Sequence, residues 1–429
     1  MKKSDLFLIG GLLASIYSCS SKKENKEESV IFPKISEVIQ ITDNSHEHLF
    51  ASYSGINSFD KSGRYATVLE TDLKFKLPDN VNEPATLGLV DLETHEFIPL
   101  TKTRACPLTK TRAWNFQQGC MAHWLGTSPD SLIIYNDYKD GRFVSIIMNV
   151  HTKKEIKMFP YPVGAVSEDG KEAVSLNFSR IRLTRPGYGY GGDGQDSHKD
   201  IAFPKDDGIF LMNLETGETK LLLSYYQVKD LVPPVGDSGL LWFNHAKFSK
   251  GGTKLFFFGR QKNNLSDKGR YTTSFTINTD GTNLQRCFPA DADWGGSHFD
   301  WLNDDELLVT ANYQGKQYSH VLFTIGQNNY ERLGGGLLDY DGHPTFSPDK
   351  KWMVTDTYPS ILREQKIYLL NMETQAILPL GRFSEPQEYS REGFWRCDIH
   401  CRWSSKGDII GFNSTHSGSR QVYIFKLTI

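Results

Sequence analysis

From about residue 48 to Ile429, short runs of alternating apolar and polar residues follow one another, each broken by Gly, Pro, Ser, Asp or Lys. Alternation with period two marks strands that bury one face, and the breaking residues mark turns. One strand–turn–strand unit recurs along the chain. It reads SFDKSGRYATVLE, VSEDGKEAVSLN, FSKGGTKLFFFG, FSPDKKWMVTD and WSSKGDIIGFN, with WLGTSPDSLIIYND and WLNDDELLVTA as looser copies. Most copies are followed by a second hairpin segment such as GLVDLETHEF, IFLMNLETGETK or IYLLNMETQAI. Four short strands per repeat, closed in a ring, predict an all-β fold, a seven-bladed β-propeller. The blades are expected to start near residues 48, 114, 160, 240, 295, 340 and 396. The segment VIFPKISEVIQITDN is placed to add a closing strand to the short last blade. Two stacked β-sandwiches are the alternative, which the repetition disfavours.

The first residues, MKKSDLFLIGGLLASIYSCSS, follow a different pattern. Two lysines precede an apolar run that is too short for an ordinary membrane span and reads as a signal peptide. The run ends in Ile16-Tyr17-Ser18-Cys19, which resembles a bacterial lipobox, although bulky Tyr17 departs from the usual pattern. Residues 1–18 are therefore expected to be a lipoprotein signal peptide, with lipid attached to Cys19. The following stretch, to residue 30, has too little apolar content to fold and is expected to be a tether. Its acid-rich character is similar to that of lipoproteins exported to the cell surface in the Bacteroidetes phylum. The expected location is the outer membrane, facing the periplasm or the cell surface, with membrane contact through the lipid alone. Residues 31–429 form the propeller.

Composition narrows the function classes. The formal net charge is −3, which gives no footprint for nucleic acid, and a monomer is expected. Beyond Cys19 the cysteines are Cys106, Cys120, Cys287, Cys397 and Cys401, an odd set with no zinc-knuckle spacing. Cys397 and Cys401, if on one strand, would lie about 13 Å apart, too far to bridge. No G-x-S-x-G occurs, which argues against a serine hydrolase.

Aligning the repeats exposes the candidate chemistry. His245, His298, His343 and His400 each stand three residues before the aromatic that opens their unit: Phe248, Trp301, Phe346 and Trp403. The equivalent positions of the first three blades hold Ile56, Met121 and Val163. Equivalent positions of neighbouring blades are neighbours in space, so the four histidines are expected to form an arc at one mouth of the channel. Three of these four histidines can converge on one divalent metal, leaving the fourth as a base. Arg402, two residues after His400, is expected to share its strand face and to offer a bidentate partner for an anion. In the RPGYGYGGDG segment, Tyr188 and Tyr190, flanked by Arg185, are candidates for substrate binding. Asp300, Asp341, Asp356 and Asp398 lie near the arc, so two-carboxylate hydrolysis stays open. Asp341 and Asp398 are also candidates to orient a histidine.

The H-x-x-aromatic motifs of residues 240–429 resemble those of the oligogalacturonate lyases, a periplasmic seven-bladed propeller family. The earlier blades share a looser similarity, and the blade openings also resemble TolB repeats. RPGYGYGG and RCDIHCRWS are similar to segments of uncharacterised propeller lipoproteins. The lyase resemblance implies β-elimination from a uronate, with His245 matching the base. It implies that His298 and His343 match ligands of a manganese ion, while His400 matches less well and the family's glutamine ligand has no located counterpart. The partner it implies is an acidic oligo- or polysaccharide. The rival class is a non-catalytic surface propeller that binds glycans or proteins.

Overall fold

The computed structural model describes residues 32–100, 111–191, 196–236, 238–288, 295–312, 317–390 and 393–428. The signal segment, Cys19, the tether and Cys106 lie outside the described residues. The described chain folds into seven antiparallel sheets, a β-propeller. Blade 1 holds β3 (Glu47–Phe50), β4 (Tyr65–Thr71), β5 (Thr86–Asp91) and β6 (Phe97–Pro99) in that spatial order. Blades 2 to 6 follow the same order. Their first strands are β7 (His123–Trp124), β11 (Ala165–Val166), β15 (Leu240–Phe248), β19 (Gly296–Trp301) and β23 (Thr345–Phe346). The aligned aromatics Trp124, Phe248, Trp301 and Phe346 therefore lie on the first strands of their blades.

Blade 7 is closed by the other end of the chain. It consists of β27 (Arg402–Trp403), β28 (Ile409–Ser414), β29 (Gln421–Thr428) and β1 (Lys34–Ile35), with β2 (Ile39–Gln40) also on β29. Lys34 pairs with Thr428 and Ile39 with Ile424. The apolar faces of adjacent blades pack on one another, as the alternation requires. Ile41, Phe50, Val68 and Val90 meet Val422 and Ile424 at the seam, and Phe256 and Phe258 of blade 4 meet Trp301, Leu307 and Val309 of blade 5.

Two polar devices repeat with the blades. Indole N–H groups at the aligned aromatic position cross to the neighbouring blade: Trp124 donates to Ser58 O (3.0 Å), Trp301 to Lys247 O (3.2 Å) and Trp403 to Thr345 O (3.1 Å). In five blades the turn after the inner strand is fixed by a side-chain oxygen that accepts from the backbone five residues on. Ser347 accepts from Trp352 N at 3.0 Å, Ser404 from Ile409 N at 3.1 Å, and Asp60 from Tyr65 N at 2.8 Å. The last turn residue before the strand-side pair has positive φ and is Gly63, Gly170, Gly252 or Gly407 in four blades, whereas blade 6 places Lys350 there at φ 64°.

Ile41 is fully buried at the seam, and its N–H donates to Val422 O at 3.0 Å. Ile41→Ala is expected to destabilise the protein by ~2–5 kcal/mol, read as a fall in the urea midpoint. Ile361→Ala, at a side chain 98% exposed, is expected to leave the midpoint unchanged.

Candidate active site and metal centre

The inner strands are irregular where the histidines sit. Pairing of β15 with β16 (Lys254–Lys262) skips between Asn244 and Lys247, and pairing of β19 with β20 (Glu306–Asn312) skips between Gly296 and Phe299. Such bulges re-aim side chains. His245 and His400 have φ of 55° and 53°, and Met121, at the equivalent position of blade 2, has 52°. This left-handed backbone is unfavourable for a side chain with a Cβ and persists only where the surroundings impose it. The backbone N–H of His245 donates to Asn244 Oδ1 (3.0 Å), and that of His400 donates to Asp356 Oδ2 (2.8 Å).

The rings meet in a chain around the channel. Ring centroids of His298 and His343 are 3.9 Å apart, and those of His343 and His400 are 4.3 Å apart. Tyr53 of blade 1 continues the series, 5.0 Å from His400, and stacks on His245 at 4.5 Å. All four histidines are buried. His298, His343 and His400 are thus grouped together, while His245 lies beyond Tyr53.

Carboxylates set the state of the imidazoles. Asp356, at the end of β24 (Trp352–Asp356), accepts from the backbone N–H of His343 and from its Nδ1, both at 2.8 Å. Burial opposes charge on His343, but Asp356, with Asp398 and Asp341 behind it, outweighs burial and raises its pKa. His298 Nδ1 bonds Asp341 Oδ1 at 3.0 Å. Burial and the neighbouring His343 nevertheless push His298 down to about 4. Although burial favours the neutral acid, the contact with His298 draws Asp341 down to about 2. His400 is held well below its usual value by burial and by His343. His245 is also held low, by burial and then by Arg260 and Arg185. It is a neutral base, with Nδ1 3.4 Å from Gln118 Nε2.

His343, Asp398 and His400 present ligand atoms that all lie within 4.8 Å of one another. His343 Nε2 and His400 Nε2 are both buried without a hydrogen-bond partner. His400 Nε2 is 3.8 Å from Asp398 Oδ2. Two orphaned imidazole nitrogens beside a carboxylate fit a divalent cation of the manganese or zinc type. Asp356 behind His343 Nδ1 has the carboxylate–histidine arrangement that orients metal ligands. This group exchanges one expected member: Asp398 joins it, while His298 stands beside it with Nδ1 committed to Asp341. It contains no glutamine. Asp398 is held ionised, against its burial, by Arg396, whose Nε donates to both carboxylate oxygens at 3.0 Å. A second grouping, Asp196, His198 and Asp207, has its carboxylates committed to Arg180 and Asn177.

Guanidinium groups gather beside His245. Burial, with Arg270 and Arg185 nearby, lowers the pKa of Arg260, and Arg185, followed by burial, brings Arg270 to about 10. Arg260 lies on β16 and is fully buried, and its Nε and Nη1 have no partner. Like charges crowded this way bind an anion strongly. Arg185 lies 3.9 Å over the ring of Tyr188, whose hydroxyl accepts from Arg396 Nη2 at 2.9 Å. The segment that carries them follows α1 (Phe178–Thr184) and reaches from blade 3 to a loop of blade 1 and to the chain joining blades 6 and 7. Gly191 N donates to Asn80 Oδ1 at 2.6 Å, and Gly187 approaches Phe394. Gly189 lies so close to α1 that a Cβ would come 2.1 Å from Arg182 N. The insertion is therefore packed in place.

Two expectations need correction. Arg402 is fully buried and faces away from the histidines. Its Nη1 donates to Ser52 O (3.1 Å), Ser52 Oγ (2.9 Å) and Ser58 Oγ (2.8 Å), its Nη2 donates to His400 O (3.2 Å), and its guanidinium lies 4.2 Å over Phe50. Strand alternation fails there because His400 is left-handed and the strand begins only at Arg402. Tyr190 is likewise internal. It stacks on Phe178 at 4.4 Å, and Asn136 Nδ2 donates to its hydroxyl at 3.1 Å, so no ring face is left for a sugar. The segment from Cys397 to Cys401 is not a strand, and both thiols are buried and free. Arg260, Arg270, Tyr53 and Arg396 were not singled out by sequence. Of these, Arg396 opens the RCDIHCRWS motif, and Arg260 stands directly after the apolar run LFFFG.

No family model and no curated protein matches the chain. Solved structures do. An oligogalacturonate lyase from Vibrio parahaemolyticus is 13% identical with a TM-score of 0.61, over 92% of this chain and 97% of that one. An oligogalacturonate lyase in complex with manganese is 15% identical with a TM-score of 0.64, over 92% and 96%. A prolyl endopeptidase is 9% identical with a TM-score of 0.50, over 89% of this chain and 51% of its own. At these identities the likeness defines the fold class, a seven-bladed β-propeller shared with the oligogalacturonate lyases.

The histidine shifts predict a pH response in chelator-treated protein. His298, His400 and His245 have lowered pKa values, so below about pH 6.5 the unfolded chain binds more protons and stability falls. His343 works oppositely. Its raised pKa contributes stability below the unfolded value that is lost as pH rises through the folded one. The melting temperature is expected to drop from pH 7 to 4.5, and to drop further in Asp356→Asn, which removes the offset.

Proposed function

We propose that the protein is a lyase that cleaves a uronate-containing oligo- or polysaccharide by metal-assisted β-elimination. The observation that carries this reading is the neutral, buried His245 beside a cluster of arginines and a His–His–Asp donor group. The lyase fold of the two oligogalacturonate lyases supports it. Arg185, Arg260 and Arg270 would bind the uronate carboxylate and stabilise the charge that develops as the adjacent C–H is deprotonated. His245 would take that proton. Binding the carboxylate would also offset the arginine charge that holds the His245 pKa down, making it a stronger base when substrate is present. His343, His400 and Asp398 would hold a divalent metal, manganese in this reading, with His298 adjacent. Once bound, the metal supplies Lewis-acid polarisation of the carboxylate. Tyr188, fixed by Arg185 and Arg396, would line the sugar site. In this reading Cys19 carries a lipid that tethers a monomer to the outer membrane, facing the periplasm or the cell surface, where acidic glycans are met.

The test incubates purified protein with uronic-acid glycans and manganese and follows the absorbance of the unsaturated product. Turnover is expected with at least one uronate. His245→Ala should lower kcat by ~10²–10⁴-fold while metal stays bound by elemental analysis, and His343→Ala should lose the metal. No turnover on any uronate together with no bound metal would overturn the proposal. Glycan affinity without turnover would make the protein a binding propeller. New reducing ends without the absorbance would make it a hydrolase.

A further inference from the structure

Below the histidines the channel continues. A cavity of about 560 Å³ runs from Tyr53, Gln118 and His245 to the turns that end the inner strands. It is within the size range of small-molecule sites. The stacked pair Tyr53–His245 separates it from the arginine side.

Charge at this lower end is unbalanced. The cavity is lined by Lys61, Lys247, Lys250 and Lys350 against Asp300 and Glu168. Asp300 is already taken: Lys247 Nζ lies 2.6 Å from Oδ1, and Thr345 Oγ1 and Phe346 N donate to Oδ2. Lys250 and Lys350 both line the cavity and form no ion pair among the described residues. Burial and Lys250 bring the Lys350 pKa to about 8.

Two further observations point to a ligand. Lys350 stands at the turn position that is glycine in the sister turns, at φ 64°. Glycine adopts that backbone freely, whereas a lysine is strained there. The lysine therefore incurs both backbone strain and like-charge repulsion. In addition, His123 Nε2, on a side chain 8% exposed that lines the cavity, has no partner. Aromatic side chains, Trp124, Phe299 and Phe346, make the wall between these groups.

We infer that this lower cavity is a second binding site, for a small organic oxyanion. Lys250 and Lys350 hold a carboxylate or phosphate group, and the body of the molecule lies against the aromatic wall toward His123. The site shares no residue with the arginine or metal groups and meets the proposed lyase site at His245 and Tyr53.

The test is calorimetry on the full chain carrying Arg270→Met, which weakens the upper arginine cluster, with the lysine variants below reading the lower site. The probes are inorganic phosphate, galacturonate, glucose 6-phosphate and neutral galactose. The anionic probes are expected to bind and galactose not, and the ranking of galacturonate against glucose 6-phosphate assigns the anion as carboxylate or phosphate ester. Lys350→Gly restores the residue of the sister turns, so its melting temperature should not fall, yet its affinity should drop at least ~10-fold. Lys250→Met should weaken binding similarly and serves as the second variant should Lys350→Gly misfold. Uronate turnover should be unchanged in Lys350→Gly made without Arg270→Met. Equal binding of galactose, no binding of any anionic probe, or undiminished affinity in both lysine variants would overturn the inference.

Discussion

Asp356 accepts hydrogen bonds from two blades at once. One oxygen takes the backbone N–H and Nδ1 of His343, and the other takes the N–H of His400. It is fully buried, so its charge is compensated only by these donors and by the imidazole beside it. Three consequences follow from this one residue. The rings of blades 6 and 7 are locked at contact distance. His343 Nε2 is turned toward His400. The left-handed backbone of His400 is held in place by the bond its N–H makes. Without Asp356, His343 would lose the largest influence opposing its burial, and burial prevails at His400 and His298.

The same logic recurs with other partners. Asp300 ties blades 4, 5 and 6 through Lys247, Trp301 N and Phe346 N. Arg402 ties blade 7 to blade 1 through Ser52 and Ser58. Buried charges near the channel thus act first as joints between blades. That is why the carboxylates that made hydrolysis conceivable are already engaged as acceptors: Asp300 by Lys247, Asp341 by His298, Asp356 by His343 and Asp398 by Arg396. Among the groups that remain unsatisfied near the channel are nitrogens of His343, His400, Arg260 and His123, beside the Tyr53 hydroxyl and Gln118 Oε1. The unmet imidazole and guanidinium nitrogens suit the channel to metals and anions.

The blades and the histidine arc were legible in the sequence because both are written in repeats. A strand–turn–strand unit recurs with the same aromatic and turn residues, and four histidines fall at one offset from that aromatic. Arg402 was misread because alternation assumes extended backbone, and His400 is not extended. Tyr190 was misread because a tyrosine in a glycine-rich loop carries no mark of being folded under its own helix. Asp398 and Arg396 form their pair within a segment of no regular structure, and Tyr53 lies in irregular chain after β3. These placements depend on which blade lies across the channel, which no local pattern records.

The seam gives the site a history. β1 and β2 precede every blade in the chain yet pair with β29, the last strand. During synthesis these first strands must wait, unpaired, until nearly the whole chain has emerged, a closure of very high contact order. His400 and Tyr53 stand on either side of that seam, so their rings meet only when it shuts. The upper site is therefore the last part of the molecule to exist, and its assembly marks the moment at which the ring is complete.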